Sequence, residues 1–193
     1  MVNVSRVYKL TKKNNENLLL VGDSMIEFFN WQARFPGRHV DNLGRSGESV
    51  EELRVRVHYI VERYSETDLV LVMIGTNNVA MENFNFLPAY EDIIATFQEA
   101  YPDAVIVVNS LLPMELGYLA PDTVPRINSS LKSMASTCGV IYLDAWQAMV
   151  DKSGRVLEGI LEDEVHLTHR GYMVWATELD KLLTESYFTN EQQ

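Results

Sequence analysis

Five segments of this 193-residue sequence gather side chains that could do chemistry on a carbonyl. Gly22-Asp23-Ser24-Met25 presents a hydroxyl. Asn42-Leu43-Gly44-Arg45-Ser46-Gly47 is a glycine-bearing turn that can offer backbone N–H groups. Gly75-Thr76-Asn77-Asn78 presents carboxamides. Asn109-Ser110 leads into an apolar loop, Leu111 to Ala120. Asp163-Glu164-Val165-His166-Leu167-Thr168 places an imidazole three residues after a carboxylate. That spacing lets a turn bring Asp163 to one ring nitrogen of His166 and leave the other free. Hydroxyl, imidazole, carboxylate and N–H donors are the parts that acyl transfer needs.

The elements that must position these residues can be read from apolar patterning. Short apolar runs, Leu18–Val21, His39–Leu43, Asp68–Ile74, Ala104–Val108 and Val140–Leu143, stop at or near the chemical segments and fit buried parallel strands. Between them, Val50, Leu53, Val57, Ile60 and Tyr64 recur at helical spacing. Ser49 and Glu52 form a capping-box pattern ahead of that helix. Tyr90, Ile93, Phe97 and Tyr101 predict a second helix. Val124, Ile127, Leu131, Met134 and Cys138 predict a third, which makes the single cysteine part of a buried apolar stripe rather than a nucleophile. A last helix is expected to start near Thr168 and to carry Tyr172, Trp175, Leu179 and Leu182. Strands alternating with helices give an α/β fold with a five-stranded parallel sheet, in which ligands bind at the carboxyl ends of the strands.

Each candidate also has a plainer reading. Ser24 suits a helix N-cap, Gly44 suits a turn, and Asn77 could hold a turn. Asp144, just past the fifth strand, competes with Asp163 as the carboxylate that orients His166. His39 and His58 read as surface or strand-end residues, and His169 as part of the last helix's first turn. Asp163, His166 and His169 form an Asp-x-x-His-x-x-His pattern, but no further Cys or carboxylate cluster completes a metal site. No metal and no cofactor is expected.

Taken together, the blocks around Ser24, Gly44, Asn77 and His166, in that order and closed by Asp163-x-x-His166, resemble the SGNH hydrolase superfamily, the GDSL esterases and lipases. The resemblance runs from about Leu18 to Gly171. Met25 stands where the family usually has Leu, and Asn78 where Asp is common. The resemblance implies a three-layer, flavodoxin-like fold with helices on both faces of the sheet. It implies Ser24 as nucleophile, His166 as base and Asp163 as its orienting acid. It also implies an oxyanion hole from the backbone N–H groups of Ser24 and Gly44 and the side chain of Asn77. The substrates it permits are acetylated sugars, lysophospholipids, thioesters and simple esters. Val79, Met81, Leu111, Leu112 and Met114 are candidates to line an acyl pocket. With no room for a lid domain, a small or short-chain acyl ester is the expected partner.

Composition limits the rest. Hydrophobic residues are 47% and charged residues 22%, as in an ordinary globular domain, and a single domain is expected over 1–193, its core at about 17–186 behind a polar segment, 1–16. The net charge is −11, with 19 of the 27 acidic residues after Tyr64, which argues against nucleic-acid binding. No apolar run is long enough for a membrane span, and Met1 to Glu16 does not read as a secretory signal, so a cytoplasmic location is expected. A non-catalytic flavodoxin-like binding domain is a second reading. Against it, Gly75 ends the third strand where a phospho-acceptor Asp would stand, and no Gly-x-Gly-x-x-Gly or Gly-Lys-[Ser/Thr] phosphate loop occurs. An acyltransferase using the same residues is a third.

Overall fold

The computed structural model describes residues 16–185. Its five strands are β1 (Asn17–Gly22), β2 (His39–Gly44), β3 (Leu69–Met73), β4 (Val105–Asn109) and β5 (Ile141–Leu143). All pairings are parallel, in the order β2-β1-β3-β4-β5. Seven helices connect or follow them: α1 (Ser24–Glu27), α2 (Trp31–Arg34), α3 (Val50–Arg63), α4 (Thr76–Ala80), α5 (Leu87–Ala100), α6 (Thr123–Cys138) and α7 (His169–Glu185).

The strands form where the sequence is apolar on both sides of the pleat. Every residue of β3 and β4 is buried, as strands covered on both faces must be. Removing each Val, Leu or Met side chain of β3 from water is worth about 1.5–3 kcal/mol. The helices bury one stripe each. On α3 it is Val50, Leu53, Val57 and Ile60; on α5 it is Tyr90, Ile93, Ile94 and Phe97. The Ser49–Glu52 capping box is formed in full. Thr168 Oγ1 accepts from Gly171 N–H at 3.0 Å and so starts α7.

The chain leaves β1 in one direction, to β2, and then returns to build β3, β4 and β5 on the other side. Right-handed crossovers then require helices on both faces. α3 packs on α5 and α5 on α6, forming one layer. The opposite layer joins the start of the chain to its end. Trp31 of α2 meets Trp175 of α7 edge-on at 4.9 Å, and Phe29 stacks on Tyr172 at 4.8 Å. Trp175 Nε1 also donates to Asn109 Oδ1 at the end of β4. Docking α7 in this way carries the preceding loop, 160–168, over the end of β1.

The direction change between β1 and its neighbours is the topological switch point, and the carboxyl ends of β1, β2 and β3 open there. Among the described residues no helix is long and apolar enough to cross a membrane, and no group of His, Cys, Asp and Glu could hold a metal ion. Cys138 is half-buried at the end of α6, less enclosed than its place in the stripe predicts, and burial pushes its thiol pKa up. A raised pKa disfavours the thiolate that a nucleophile needs.

Candidate active site

Ser24 stands directly after β1, as the first residue of α1. The cap of that helix is not Ser24 but Asp23, whose Oδ1 accepts from Met25 N–H at 3.0 Å. A carboxylate one residue earlier does the capping, so the Ser24 hydroxyl is left for another partner. That partner is His166: Ser24 Oγ lies 3.3 Å from His166 Nε2. The other ring nitrogen, Nδ1, is 2.8 Å from Asp163 Oδ2. Asp163 Oδ1 accepts from the main-chain N–H groups of His166, at 2.6 Å, and Val165, at 2.7 Å. The turn that the three-residue spacing allows is therefore present. The His166 amide, then its ring, then the Val165 amide hold the Asp163 carboxyl down at about 2. Asp144 takes no part; its carboxylate accepts from Gln147 N–H in a 3₁₀ turn, Trp146–Met149.

Ser24 is nearly enclosed, 7% exposed, while the Asp163 side chain is 56% exposed. The His166 ring bridges the two environments and is flanked by Phe28, one turn after Ser24, with ring centroids 5.5 Å apart.

Beneath Ser24 sits Asp23, fully buried. Its Oδ2 and the Thr76 Oγ1 are both buried, and Thr76 lies against the carboxyl through its hydroxyl and its main chain. Burial raises the Asp23 carboxyl to about 6. Nothing in the motif, read as a sequence, distinguishes this carboxylate as the most strongly displaced acid near the serine.

The donor side corrects one expectation. Gly44 N–H is occupied: it donates to Asn42 Oδ1 at 3.0 Å, in a local turn, while Asn42 Nδ2 caps the end of α1 by donating to Ile26 O at 3.0 Å and Phe29 O at 3.2 Å. Gly44 is a glycine for packing, since a Cβ there would lie 2.2 Å from Glu27 N. Three residues on, Gly47 takes a left-handed φ of +77° with open space around it, and its N–H meets no partner among the described residues. The Ser24 N–H is likewise unpartnered among them. The Asn77 carboxamide lies beside this turn, with Nδ2 donating to Glu48 O at 3.0 Å. Asn78, the neighbour that could be mistaken for it, is fully buried and ties α4 to α3: it accepts from Val50 N–H and donates to Glu51.

The pocket expectation also changes. Val79, Leu111 and Leu112 are in the core, at most 1% exposed, and do not line an open cleft. Apolar loop residues at a sheet edge gain more from covering the sheet than from lining a solvent-filled groove. Leu111 is fixed there by Asn128, which accepts from its N–H and donates to its C=O. Met81 is exposed, and Met114 lines a cleft of about 380 Å³ beside Trp146.

A parallel sheet in flavodoxin-like order whose strand ends bring together a serine, a carboxamide and an Asp-x-x-His pair is the architecture of the SGNH hydrolases. The chain belongs to the GDSL-like lipase/acylhydrolase family, whose family model matches residues 20–174. It is similar to platelet-activating factor acetylhydrolase IB subunit alpha1 of Bos taurus, with 24% identity over 179 residues covering 90% of this chain and 77% of that one. It is also similar to subunit alpha2 of the Homo sapiens enzyme, with 26% identity over 180 residues covering 90% and 79%. Among solved structures, a catalytic mutant of an acetylxylan esterase from Geobacillus stearothermophilus shares the fold with a TM-score of 0.70, 22% identity and coverage of 88% and 94%. A GDSL-like lipase from Bacteroides thetaiotaomicron does so with a TM-score of 0.70, 21% identity and coverage of 91% of each chain.

Proposed function

We propose that this acylhydrolase-family protein is a serine esterase acting on small or short-chain acyl esters. The observation that carries the reading is the chain of contacts Ser24 Oγ–His166 Nε2 and His166 Nδ1–Asp163 Oδ2. Ser24 Oγ attacks the ester carbonyl carbon while His166 Nε2 takes its proton. Asp163, ionised throughout the neutral range, accepts from Nδ1–H, fixes the tautomer and stabilises the imidazolium. His166 then gives the proton to the leaving alcohol as the carbon–oxygen bond breaks. Water, activated by the same imidazole, releases the acid and restores Ser24.

The developing oxyanion is held by the N–H groups of Ser24 and Gly47 and by the remaining N–H of the Asn77 carboxamide. Gly47 takes the place first expected for Gly44, because its amide is unspent. The burial of Val79, Leu111 and Leu112 supports a short acyl group, since it removes three candidates for the wall of a long acyl channel. The names of the two relatives, an acetylhydrolase and an acetylxylan esterase, point the same way.

The test is labelling with a fluorophosphonate, wild type against Ser24→Ala, followed by hydrolysis of p-nitrophenyl esters of increasing chain length. Labelling confined to the wild type, with acetate hydrolysed faster than octanoate, is expected. Equal labelling of the Ser24→Ala protein would remove Ser24 from the mechanism. A rate that rises with chain length would remove the short-acyl preference. Ester consumption that yields a new ester when alcohol is added, without free acid, would make the protein an acyltransferase instead.

A further inference from the structure

The turn that carries Gly47 has little packed upon it. Arg45, Ser46 and Gly47 are exposed, and nothing lies within 4 Å of the position a Gly47 Cβ would take. Yet a donor to a transition state must be held still. The one buried residue of that turn is charged: Glu48, whose side chain is 2% exposed.

Glu48 points inward to Arg56, two turns along α3. Arg56 Nε donates to Glu48 Oε1 and Nη2 to Oε2, each at 2.5 Å. Nη2 also donates to the main-chain O of Leu43 at 3.0 Å. One planar guanidinium thus ties together the end of β2, the turn and the body of α3. The main chain of Glu48 faces the other way, where its C=O accepts from Asn77 Nδ2. The same residue is therefore fixed through its side chain to Arg56 and through its carbonyl to the oxyanion carboxamide. It also follows Gly47 directly.

We propose that Glu48 and Arg56 are positioning residues that set the Gly47 N–H and the Asn77 carboxamide for the oxyanion, an inference that rests on the esterase reading. A buried ion pair does little for stability that a well-packed apolar pair would not do as well. What a two-pronged guanidinium–carboxylate contact supplies is direction. The turn is otherwise held before Gly47, by Arg45 N–H donating to Gly22 O and Ser46 N–H donating to Glu27, and the guanidinium supplies direction on the other side of it. Misplacing a catalytic group by about 1 Å can cost roughly 10²-fold in rate.

The test uses Arg56→Lys and Arg56→Met in the full chain. Lys keeps the charge and loses the fork; Met keeps the apolar stem and loses both. kcat and KM are measured with p-nitrophenyl acetate, Tm is measured by calorimetry, and amide exchange is followed over residues 43–49. The expected result for Arg56→Lys is a kcat about 10- to 100-fold lower with KM within about threefold of wild type and Tm nearly kept. Faster exchange is expected in 43–49 but not in α5. Arg56→Met is expected to lose at least as much kcat. The proposal is overturned if folded Arg56→Lys turns over ester within twofold of wild type, or if its exchange in 43–49 is unchanged. Failure of the esterase reading looks different: there the wild type itself neither labels nor hydrolyses, and the proposal falls with it.

Discussion

Ser24 Oγ and His166 Nε2 lie 3.3 Å apart although 142 positions separate them in the chain. The first comes from the end of the first strand, the second from the loop before the last helix. Their separation is at the long end for a hydrogen bond, as is common before substrate arrives. What keeps them in register is the aromatic seam of Phe29, Trp31, Tyr172 and Trp175, remote from the chemistry itself.

Asp163→Asn should lower kcat by roughly 10³–10⁴-fold with KM little changed, because an amide facing Nδ1 favours the wrong tautomer. The carboxyl is held at about 2, first by the His166 amide and then by the His166 ring. It therefore stays ionised at every pH at which the enzyme would be assayed. Asp163 should add no inflection to the pH–rate profile above pH 3. A profile whose acid limb disappeared in Asp163→Asn while kcat at its optimum was retained would contradict this role.

Asn77→Ala should reduce kcat by roughly 10²–10³-fold, the usual loss for one oxyanion donor. Far-UV circular dichroism and Tm should stay close to wild type, since the side chain gives up one hydrogen bond, to Glu48 O. Unchanged turnover in the folded variant would take the carboxamide out of the oxyanion hole.

Gly44 and Gly47 should separate on substitution. Gly44→Ala forces a Cβ to 2.2 Å from Glu27 N and should cost more than about 3 kcal/mol, or abolish folding. Gly47→Ala meets open space and bears only the strain of φ +77°, about 1–2 kcal/mol. Urea denaturation of the two variants checks the order, and equal losses would contradict the packing role of Gly44.

Asp23→Asn should remove a pH-dependent weakness. The folded carboxyl titrates at about 6 against an ordinary 3.8, chiefly from burial, so the folded state binds the proton more tightly. The stability linked to that proton is complete below about pH 3.8 and is lost as pH rises through 6. At pH 8 the variant should exceed wild type by about 3 kcal/mol, from roughly two pKa units in a fully buried group. Urea midpoints from pH 4 to pH 8 test this; parallel curves for the two proteins would exclude it.

Asn128→Ala should cost about 2–4 kcal/mol. The buried carboxamide satisfies both the N–H and the C=O of Leu111, and its loss strands two backbone groups. A change of less than 1 kcal/mol in chemical denaturation would show that water replaces it.

The sheet and the Asp163–His166 contact are legible in the sequence because both depend on local patterns. Leu69–Met73 is apolar throughout and can only be a covered strand. Asp163 and His166 need nothing but a turn between them. Which of Gly44 and Gly47 keeps its N–H free is not legible, because that depends on Asn42 folding back to accept from Gly44. Val79, Leu111 and Leu112 read equally as pocket or core; all three are buried, and Leu111 is pinned there by Asn128 of α6. Ser24 was readable as a cap because Ser and Asp compete for that position, and Asp23 takes it.

The joining of the chain's early and late segments has a consequence in time. At synthesis rates of about 5–20 residues per second, the 142 positions between them mean that Ser24 emerges roughly 7–28 seconds before His166. Throughout that interval the serine is an ordinary alcohol with no base beside it. On the proposed mechanism, hydrolytic competence then arrives as α7 docks. A growing polypeptide would therefore be chemically silent toward esters, and ester turnover would report that the fold had closed.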